Sequence, residues 1–335
     1  MTYKNGFFKS SDGEHNIAYY VFMPKGEIRG AVQIVHGMCE YFLRYRGFAE
    51  FLAENGIAVC GNDHLGHGSS VSSPEDLGYF SPEKGWQNAV EDMYKLTKIM
   101  KAKVGDVPFI MFGHSMGSFL ARVYMIKHAS ALDGAIVCGT GDGVPGLSAL
   151  ATVCDAVKLA KGDRYRSEKI NNIAFGKYNE RFPDAEYPTA WLTRDVEIQK
   201  SYIDDEKCDF IFTVNGFENL AKMLAYISDP RWFAALRKDL PVLIVSGSDD
   251  PVGNYGKGVQ SVYDKLRAKD CNVELKIYEG ARHEPLNETN RDEVMADLLG
   301  FINDVINGDC NAAAEPDEED ELSYTEETED TTETE

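Results

Sequence analysis

The sequence predicts an α/β fold: a mostly parallel central sheet of about eight strands, helices on both faces, an N-terminal antiparallel hairpin and an inserted helical cap. Apolar runs of strand length recur without strict alternation, which is typical of strands buried on both faces of a parallel sheet. Stretches with helical periodicity lie between these runs. Strands that alternate with helices indicate parallel pairing through right-handed crossovers.

The N-terminal region departs from this alternation. Residues 7–10 and 15–23 flank a Ser11-Asp12-Gly13 turn, which predicts an antiparallel hairpin at the edge of the sheet. The parallel strands are predicted at residues 31–35, 57–60, 109–112, 135–138, 242–245 and 273–278. Helices between them are indicated by apolar stripes whose members include Phe48 and Leu52, Val90 and Met93, Val259 and Val262, and Leu298 and Phe301.

The alternation stops at residue 141 and resumes after residue 239. Helical patches at 149–159 and 219–226, and aromatic-rich loops from Phe175 to Trp191, occupy this interval. We interpret residues 141–239 as one insertion, a cap or lid over the carboxyl edge of the sheet, with residues 1–140 and 240–308 as the core. The alternative is a set of helices that pack on the sheet without gating access to it.

The charge distribution separates the body of the chain from its end. The formal net charge is −21, and residues 309–335 carry thirteen Asp or Glu and no Lys or Arg, which leaves −8 for residues 1–308. The acidic tail cannot bury enough apolar surface to order itself, so we expect it to be disordered. An acidic body argues against nucleic-acid binding and favours at most transient contact with a membrane surface.

The sequence indicates a cytoplasmic protein. No apolar run approaches the roughly 18 to 20 residues of a membrane span, and the first residues lack the basic and apolar regions of a secretory signal. The seven cysteines are scattered without a C-x-x-C pair, which favours free thiols over a disulfide framework or a zinc site. The oligomeric state is left open.

The motif Gly113-His114-Ser115-Met116-Gly117 carries the first chemical signal. It follows a predicted strand and precedes a helical stretch, which is the context that a nucleophile elbow requires. Glycines allow a strained turn and a close approach of strand and helix. The serine would then project above the sheet edge at a helix N-terminus, where developing negative charge is stabilised. Ser115 is therefore the candidate nucleophile.

A serine hydroxyl needs a base, and the base needs an acid. Five histidines precede Ser115 or belong to its motif, and His128 lies too far along the following helix to turn back, which leaves His283 on a loop after a predicted strand. The acid is expected after the strand at 242–245, where Asp249 and Asp250 compete and the residues alone give Asp250 a slight preference.

Two glycine- and histidine-containing loops follow predicted strands. His36-Gly37-Met38 comes after the strand at 31–35, so the backbone N–H groups of Met38 and Met116 are the expected oxyanion donors, with His36 in a structural role. Residues 62–68 contain Asp63, His64 and His67, which we interpret as a hydrogen-bonded turn in preference to a metal site. No nucleotide-binding glycine motif occurs, and we expect neither a cofactor nor a metal.

With these residues in place, the chain resembles the monoacylglycerol lipase and lysophospholipase branch of the α/β hydrolases, often grouped with the serine aminopeptidases. The likeness covers roughly residues 10–306 and is carried by His36-Gly37-Met38 with Glu40, residues 63–69, the Ser115 elbow, residues 247–250 and residues 278–283. The resemblance implies that Asp250 is the acid, because in that branch the acid lies three residues after the glycine. It also implies a cap that shapes an apolar acyl tunnel.

The expected function is hydrolysis of a fatty acyl ester by Ser115, His283 and Asp250, with a small neutral monoacylglycerol as the first candidate substrate. A lysophospholipase or an aminopeptidase of the same fold is the alternative. A non-catalytic binding module is a third possibility from another class, although the sequence lacks no member of the expected triad. Chain length and head group are not given by the sequence, since the cap resembles the family least.

Overall fold

The computed structural model describes residues 1–143 and 146–311. Within them, one eight-stranded sheet has the order β1-β2-β4-β3-β5-β6-β7-β8. The β1–β2 and β2–β4 pairs are antiparallel and all the others are parallel, which confirms the predicted α/β fold. The strands are β1 (Thr2–Lys9), β2 (Asn16–Met23), β3 (Gly30–Val35), β4 (Ile57–Asn62), β5 (Phe109–His114), β6 (Gly134–Cys138), β7 (Val242–Gly247) and β8 (Val273–Tyr278).

Helices cover both faces of the sheet, as predicted. In β5, Phe109 and Met111 belong to one apolar core and Ile110 and Phe112 to the other, because successive side chains of a strand point to opposite faces. Ten α-helices occur in the described chain: α1 (Arg46–Glu54), α2 (Gly85–Val104), α3 (Met116–Lys127), α4 (Leu147–Lys161), α5 (Glu168–Phe175), α6 (Val196–Asp204), α7 (Val214–Ser228), α8 (Pro230–Ala235), α9 (Lys257–Arg267) and α10 (Arg291–Asn307).

The N-terminal hairpin is longer than its predicted bounds. Strand β1 begins at Thr2, and its pairing with β2 runs from Thr2 opposite Met23 to Lys9 opposite Asn16. Residues 2–5 are exposed, so they carry no apolar alternation that could have marked them as strand. Because this part of β1 lies exposed at the edge of the sheet, a hydrophobic pattern could not predict it.

Helices α4 to α8 lie in the interval predicted as an insertion. The two predicted helical patches correspond to α4 and α7, which pack together and are joined by a 2.7 Å ion pair between Lys158 and Glu218. Three short helices, α5, α6 and α8, were not predicted. Their N-termini are capped by side chains of Ser167, Asp195 and Asp229, which accept hydrogen bonds from first-turn N–H groups. That this interval acts as a separate cap stays a prediction.

Arg122 of α3 connects two points of this helical insertion, its first residue and the last turn of α7, to the core. Its guanidinium is fully buried and donates to the backbone oxygens of Gly141, at 3.0 Å, and Ile227, at 2.9 Å. The Trp232 ring packs against it, with 4.5 Å between the guanidinium carbon and the ring centroid. Burial lowers the pKa of Arg122 to about 9, which still leaves the side chain cationic at neutral pH.

The body extends three residues beyond the boundary predicted at residue 308. Asp309–Asn311 forms a short 3-10 helix after α10, and Asn272 Nδ2 donates to the backbone oxygen of Cys310 at 2.6 Å. The rest of the predicted tail, residues 312–335, lies outside the described residues. In the described ranges no helix combines the length and apolarity that crossing a membrane requires.

Candidate active site

Ser115 lies at a sharp turn between β5 and α3. Its backbone has φ 54° and ψ −123°, a conformation that non-glycine residues rarely adopt. Such strain is retained where the surrounding structure imposes it, and it is common at functional sites. Gly117 permits the turn, because a Cβ at this position would lie 2.1 Å from the backbone oxygen of Val35. The sequence motif therefore folds as the predicted elbow.

His283 and Asp250 form a buried pair on the loops after β8 and β7. The distance from His283 Nδ1 to Asp250 Oδ1 is 2.9 Å, and the two side chains are 2% and 0% exposed. The backbone N–H of Val252 also donates to Asp250 Oδ1, at 2.8 Å. Asp249 is partly exposed, and its carboxylate has no hydrogen bond within the described residues. The geometry thus places Asp250, and not Asp249, on the histidine.

Ser115 and His283 line one cavity. Since Nδ1 of His283 faces a carboxylate, that nitrogen carries the proton and Nε2 is free to accept one. Among the described residues, no hydrogen bond yet joins the Ser115 hydroxyl to Nε2. Catalytic hydrogen bonds are often long in unliganded enzymes and shorten when substrate binds.

Met38 and Met116 present backbone N–H groups beside the serine. Both residues line the cavity, and neither N–H donates to an acceptor within the described chain. Met116 is the first residue of α3, where the N–H has no partner inside the helix. The loop that holds Met38 passes close to the elbow, since a Cβ on Gly37 would lie 3.0 Å from Ser115 Cβ. Two unpaired donors next to a hydroxyl can bind an oxyanion.

The cavity has a volume of about 650 Å³. Helices α3, α4 and α7 line one part of it with apolar side chains, namely Phe119, Leu147, Leu150, Phe217, Leu220 and Leu224. Of the aromatic residues noted between 175 and 191, Phe175, Tyr178 and Trp191 line it, and the Trp191 ring lies 5.1 Å from that of His283. The predicted insertion therefore supplies much of the cavity wall.

The histidines of the predicted turn, His64 and His67, pack against His36 of the loop after β3. His36 Nε2 accepts a hydrogen bond from the backbone N–H of His64 at 3.0 Å, and the two rings lie 4.1 Å apart. Burial lowers the pKa of His36, His64 and His67, so these rings are neutral. Asp63 accepts hydrogen bonds from the Tyr20 hydroxyl and from the backbone N–H groups of Phe42 and Ser69. Within residues 1–143 and 146–311, no three His, Cys, Asp or Glu side chains are grouped to hold a metal ion.

A buried polar network beside Ser115 was not found by sequence reasoning. Glu40 Oε1 accepts from the backbone N–H of Gly37 at 2.5 Å and from Tyr45 Oη at 2.7 Å, and it lies 3.2 Å from His114 Nδ1. Arg44 joins the other oxygen of Glu40 at 2.7 Å. Glu40 belongs to the motifs that resemble the family, but its partners come from separate segments, and no local pattern marks them.

Electrostatics identify this network as ionised. Burial alone would raise the pKa of Glu40, but the hydrogen bond with His114 and the charge of Arg44 hold it below its usual range. Burial alone would lower the pKa of His114, but the hydrogen bond and charge of Glu40 raise it above its ordinary value. The two directions agree and describe a carboxylate paired with an imidazolium.

Comparison with known proteins places this geometry in a family. The family model described as "Serine aminopeptidase, S33" matches residues 26–290. The chain is 29% identical over 298 residues to the monoacylglycerol lipase of Mycolicibacterium smegmatis, a match that covers 87% of this chain and 94% of the relative.

Solved structures show the same architecture. A thermostable carboxyl esterase from Bacillus coagulans, in complex with glycerol, superposes with a TM-score of 0.86 at 31% identity, over 91% of this chain and 99% of the esterase. A soluble variant of the monoglyceride lipase of Saccharomyces cerevisiae has a TM-score of 0.73 at 20% identity, over 91% and 95% of the two chains, and shows the shared fold. The chain is thus a serine ester hydrolase and belongs to the serine aminopeptidase S33 family of the α/β hydrolases.

Proposed function

We propose that the protein hydrolyses carboxylic esters of fatty acids, with neutral monoacylglycerols as the preferred substrates. Ser115 is the nucleophile, His283 the general base and acid, and Asp250 the carboxylate that orients His283. The observation that carries this proposal is the shared cavity, in which the strained Ser115 and His283 face an apolar wall while Asp250 holds His283 from behind.

Acylation begins when His283 Nε2 takes the hydroxyl proton of Ser115 and Oγ attacks the ester carbonyl carbon. The oxygen of the tetrahedral intermediate carries a negative charge, and the unpaired N–H groups of Met38 and Met116 are available to bind it. The C–O bond to the alcohol then breaks, and the alcohol leaves with the proton from Nε2. The fatty acyl group remains on Oγ.

Deacylation repeats these steps with water. His283 Nε2 takes a proton from a water molecule, whose oxygen attacks the acyl carbon, and Oγ leaves with that proton. The Asp250 carboxylate at 2.9 Å stabilises the imidazolium each time it forms. Both half-reactions therefore use one histidine held in one tautomer.

The substrate class rests on the cavity and on the relatives. The leucines and phenylalanines of α3, α4 and α7 offer a wall suited to an acyl chain, whose burial stabilises a complex by about 0.8 kcal/mol per methylene. The relative from M. smegmatis is named a monoacylglycerol lipase. The acidic body of the chain disfavours anionic head groups, which supports a neutral ester over a lysophospholipid.

A fluorophosphonate probe and a chain-length series of esters test the proposal together. We expect labelling of Ser115 that is lost in Ser115→Ala, together with the loss of ester turnover. The exposed Ser148→Ala on α4 is the matched control and should keep both. Turnover retained by Ser115→Ala would contradict the assignment of the nucleophile. A rate that does not rise from acetyl to longer acyl esters would contradict the acyl wall.

An aminopeptidase activity is the second candidate, because the matching family is described by that name. The two activities differ in the leaving group, an alcohol in one case and an amine in the other. Turnover of monoacylglycerol, lysophospholipid and aminoacyl amides by the same preparation separates the candidates. A higher rate on the amide than on the esters would replace the first proposal with the second.

A further inference from the structure

His114 lies between the loops that form the proposed site. It is the last residue of β5 and directly precedes Ser115, and its ring is almost fully buried. On one side, Nδ1 lies 2.8 Å from Tyr45 Oη and 3.2 Å from Glu40 Oε1. On the other side, Nε2 lies 3.0 Å from the backbone oxygen of His283. One imidazole therefore contacts both the loop that carries His283, here called the base loop, and the loop that precedes α1.

The partners of this ring define its protons. The backbone oxygen of His283 can only accept, so Nε2 of His114 carries a hydrogen. Tyr45 Oη donates its hydrogen to Glu40 Oε1 at 2.7 Å and has none left for Nδ1. Because the Glu40 carboxylate can only accept as well, Nδ1 also carries a hydrogen. His114 is an imidazolium that donates at both ends.

We propose that His114 is a positioning residue, which holds the backbone of the proposed base and the oxyanion loop at a fixed separation from Ser115. Glu40 completes the connection, because the same Oε1 that faces His114 accepts from the N–H of Gly37, next to Met38. This inference rests on the proposed function, since it assigns a role to the residue next to the proposed nucleophile.

The charges around the imidazolium alternate. Arg44 binds Glu40 Oε2 at 2.7 Å and both carboxylate oxygens of Glu284, at 2.6 and 2.7 Å. Glu284 directly follows His283, so the base loop is held from two sides, by His114 at a backbone oxygen and by Arg44 at a side chain. His36 adds no charge, since burial lowers its pKa and keeps it neutral.

Two substitutions separate the ends of the ring. In His114→Gln the amide nitrogen reaches the place of Nε2 and can still donate to the backbone oxygen of His283. In His114→Asn the shorter amide can face Glu40 but not His283. We expect His114→Asn to lower the kcat per titrated active site by about 10²-fold, with KM changed less than about threefold. The kcat of His114→Gln should stay within about tenfold of the wild-type value.

The control is His128→Gln. His128 also faces a glutamate, Glu91 at 3.2 Å, and stacks on Tyr94, but it lies at the other end of α3 away from the cavity. It should match the wild type in kcat and KM. If His114→Asn and His114→Gln have equal kcat per titrated active site, the proposal is wrong. Should His114→Asn fail to fold, the kcat of His114→Gln decides alone, and a loss of more than about tenfold would overturn the proposal. Turnover retained by Ser115→Ala would overturn the proposed function instead.

Discussion

Burial distinguishes Asp249 from Asp250, two adjacent residues between which the sequence gave only a slight preference. Asp250 is fully buried and bonded to His283, whereas Asp249 turns to the surface one residue earlier. Both follow the same strand in the same loop, so their difference arises only when the loops after β7 and β8 meet. Local residues gave a slight preference, and the resemblance to a family strengthened it.

Asp250→Asn and Asp249→Asn form a matched pair. We expect Asp250→Asn to lower kcat for a p-nitrophenyl ester by about 10⁴-fold, because an amide permits the wrong tautomer of His283. Asp249→Asn should remain within about threefold of the wild type, since its carboxylate bonds to nothing among the described residues. Steady-state turnover per titrated site checks both. A larger loss in Asp249→Asn would mean that the acid was assigned one residue too late.

Ser115 and His283 could be singled out from the sequence because chain order and motif context restrict them strongly. The network around His114 could not. Its members, Glu40, Arg44 and Glu284, come from distant segments, and the identity of a buried ion pair depends on where these segments meet. Sequence spacing carries no information on that meeting point.

At the scale of elements, the strand–turn–helix unit of β5 and α3 depends on one missing side chain. A Cβ on Gly117 would lie 2.1 Å from the oxygen of Val35 and 2.4 Å from that of His36. Both atoms belong to the backbone and cannot rotate away. The close packing of α3 on β3 therefore requires glycine at position 117. The strained turn at Ser115 depends on that packing.

Gly117→Ala should lower the free energy of unfolding by about 3 kcal/mol, because the added methyl overpacks the backbone of β3. The control is Gly47→Ala in α1, where an added Cβ meets nothing within 4 Å. This change should raise stability by up to about 1 kcal/mol through helix propensity. Urea unfolding measures both. Equal stabilities of the two variants would show that the elbow tolerates a wider separation.

The predictable elements were the strands and the long helices that bury enough apolar residues to show a pattern. The central strands carry apolar side chains throughout, and the helices that cover them show clear stripes. Residues 2–5 of β1 and helices α5, α6 and α8 are largely exposed or only about two turns long, so periodicity was too weak to predict them. Caps such as Asp195 and Asp229 were the signals available for the short helices.

At the scale of the whole molecule, buried neutral histidines make stability depend on pH. The folded-state pKa of His36, His64 and His67 is below the unfolded value, and for His67 it is about 3. Their stabilising effect is complete above pH 6.5 and is lost as the pH falls, because the unfolded chain binds the protons. His114 has a raised pKa, so its contribution is already complete below pH 6.5 and does not oppose this loss.

We expect the free energy of unfolding to fall between pH 7 and pH 5, by about 2 kcal/mol for His67 alone. His67→Asn keeps a donor for the backbone oxygen of Leu65, which His67 Nδ1 contacts at 2.9 Å, and should show a shallower pH dependence. Urea titrations at several pH values give the slopes. A slope equal to that of the wild type would place the proton uptake elsewhere.

The buried guanidinium of Arg122 has a consequence for how such chains diversify. It fixes the carbonyls of Gly141, before α4, and of Ile227, near the end of α7, to the same point on α3. With both anchor points held, the entropy of closing the stretch between them grows only as the logarithm of its length. We expect insertions, deletions or a segment from a relative in that stretch to change the cavity wall that α4 and α7 form, while the two hydrogen bonds of Arg122 stay in place.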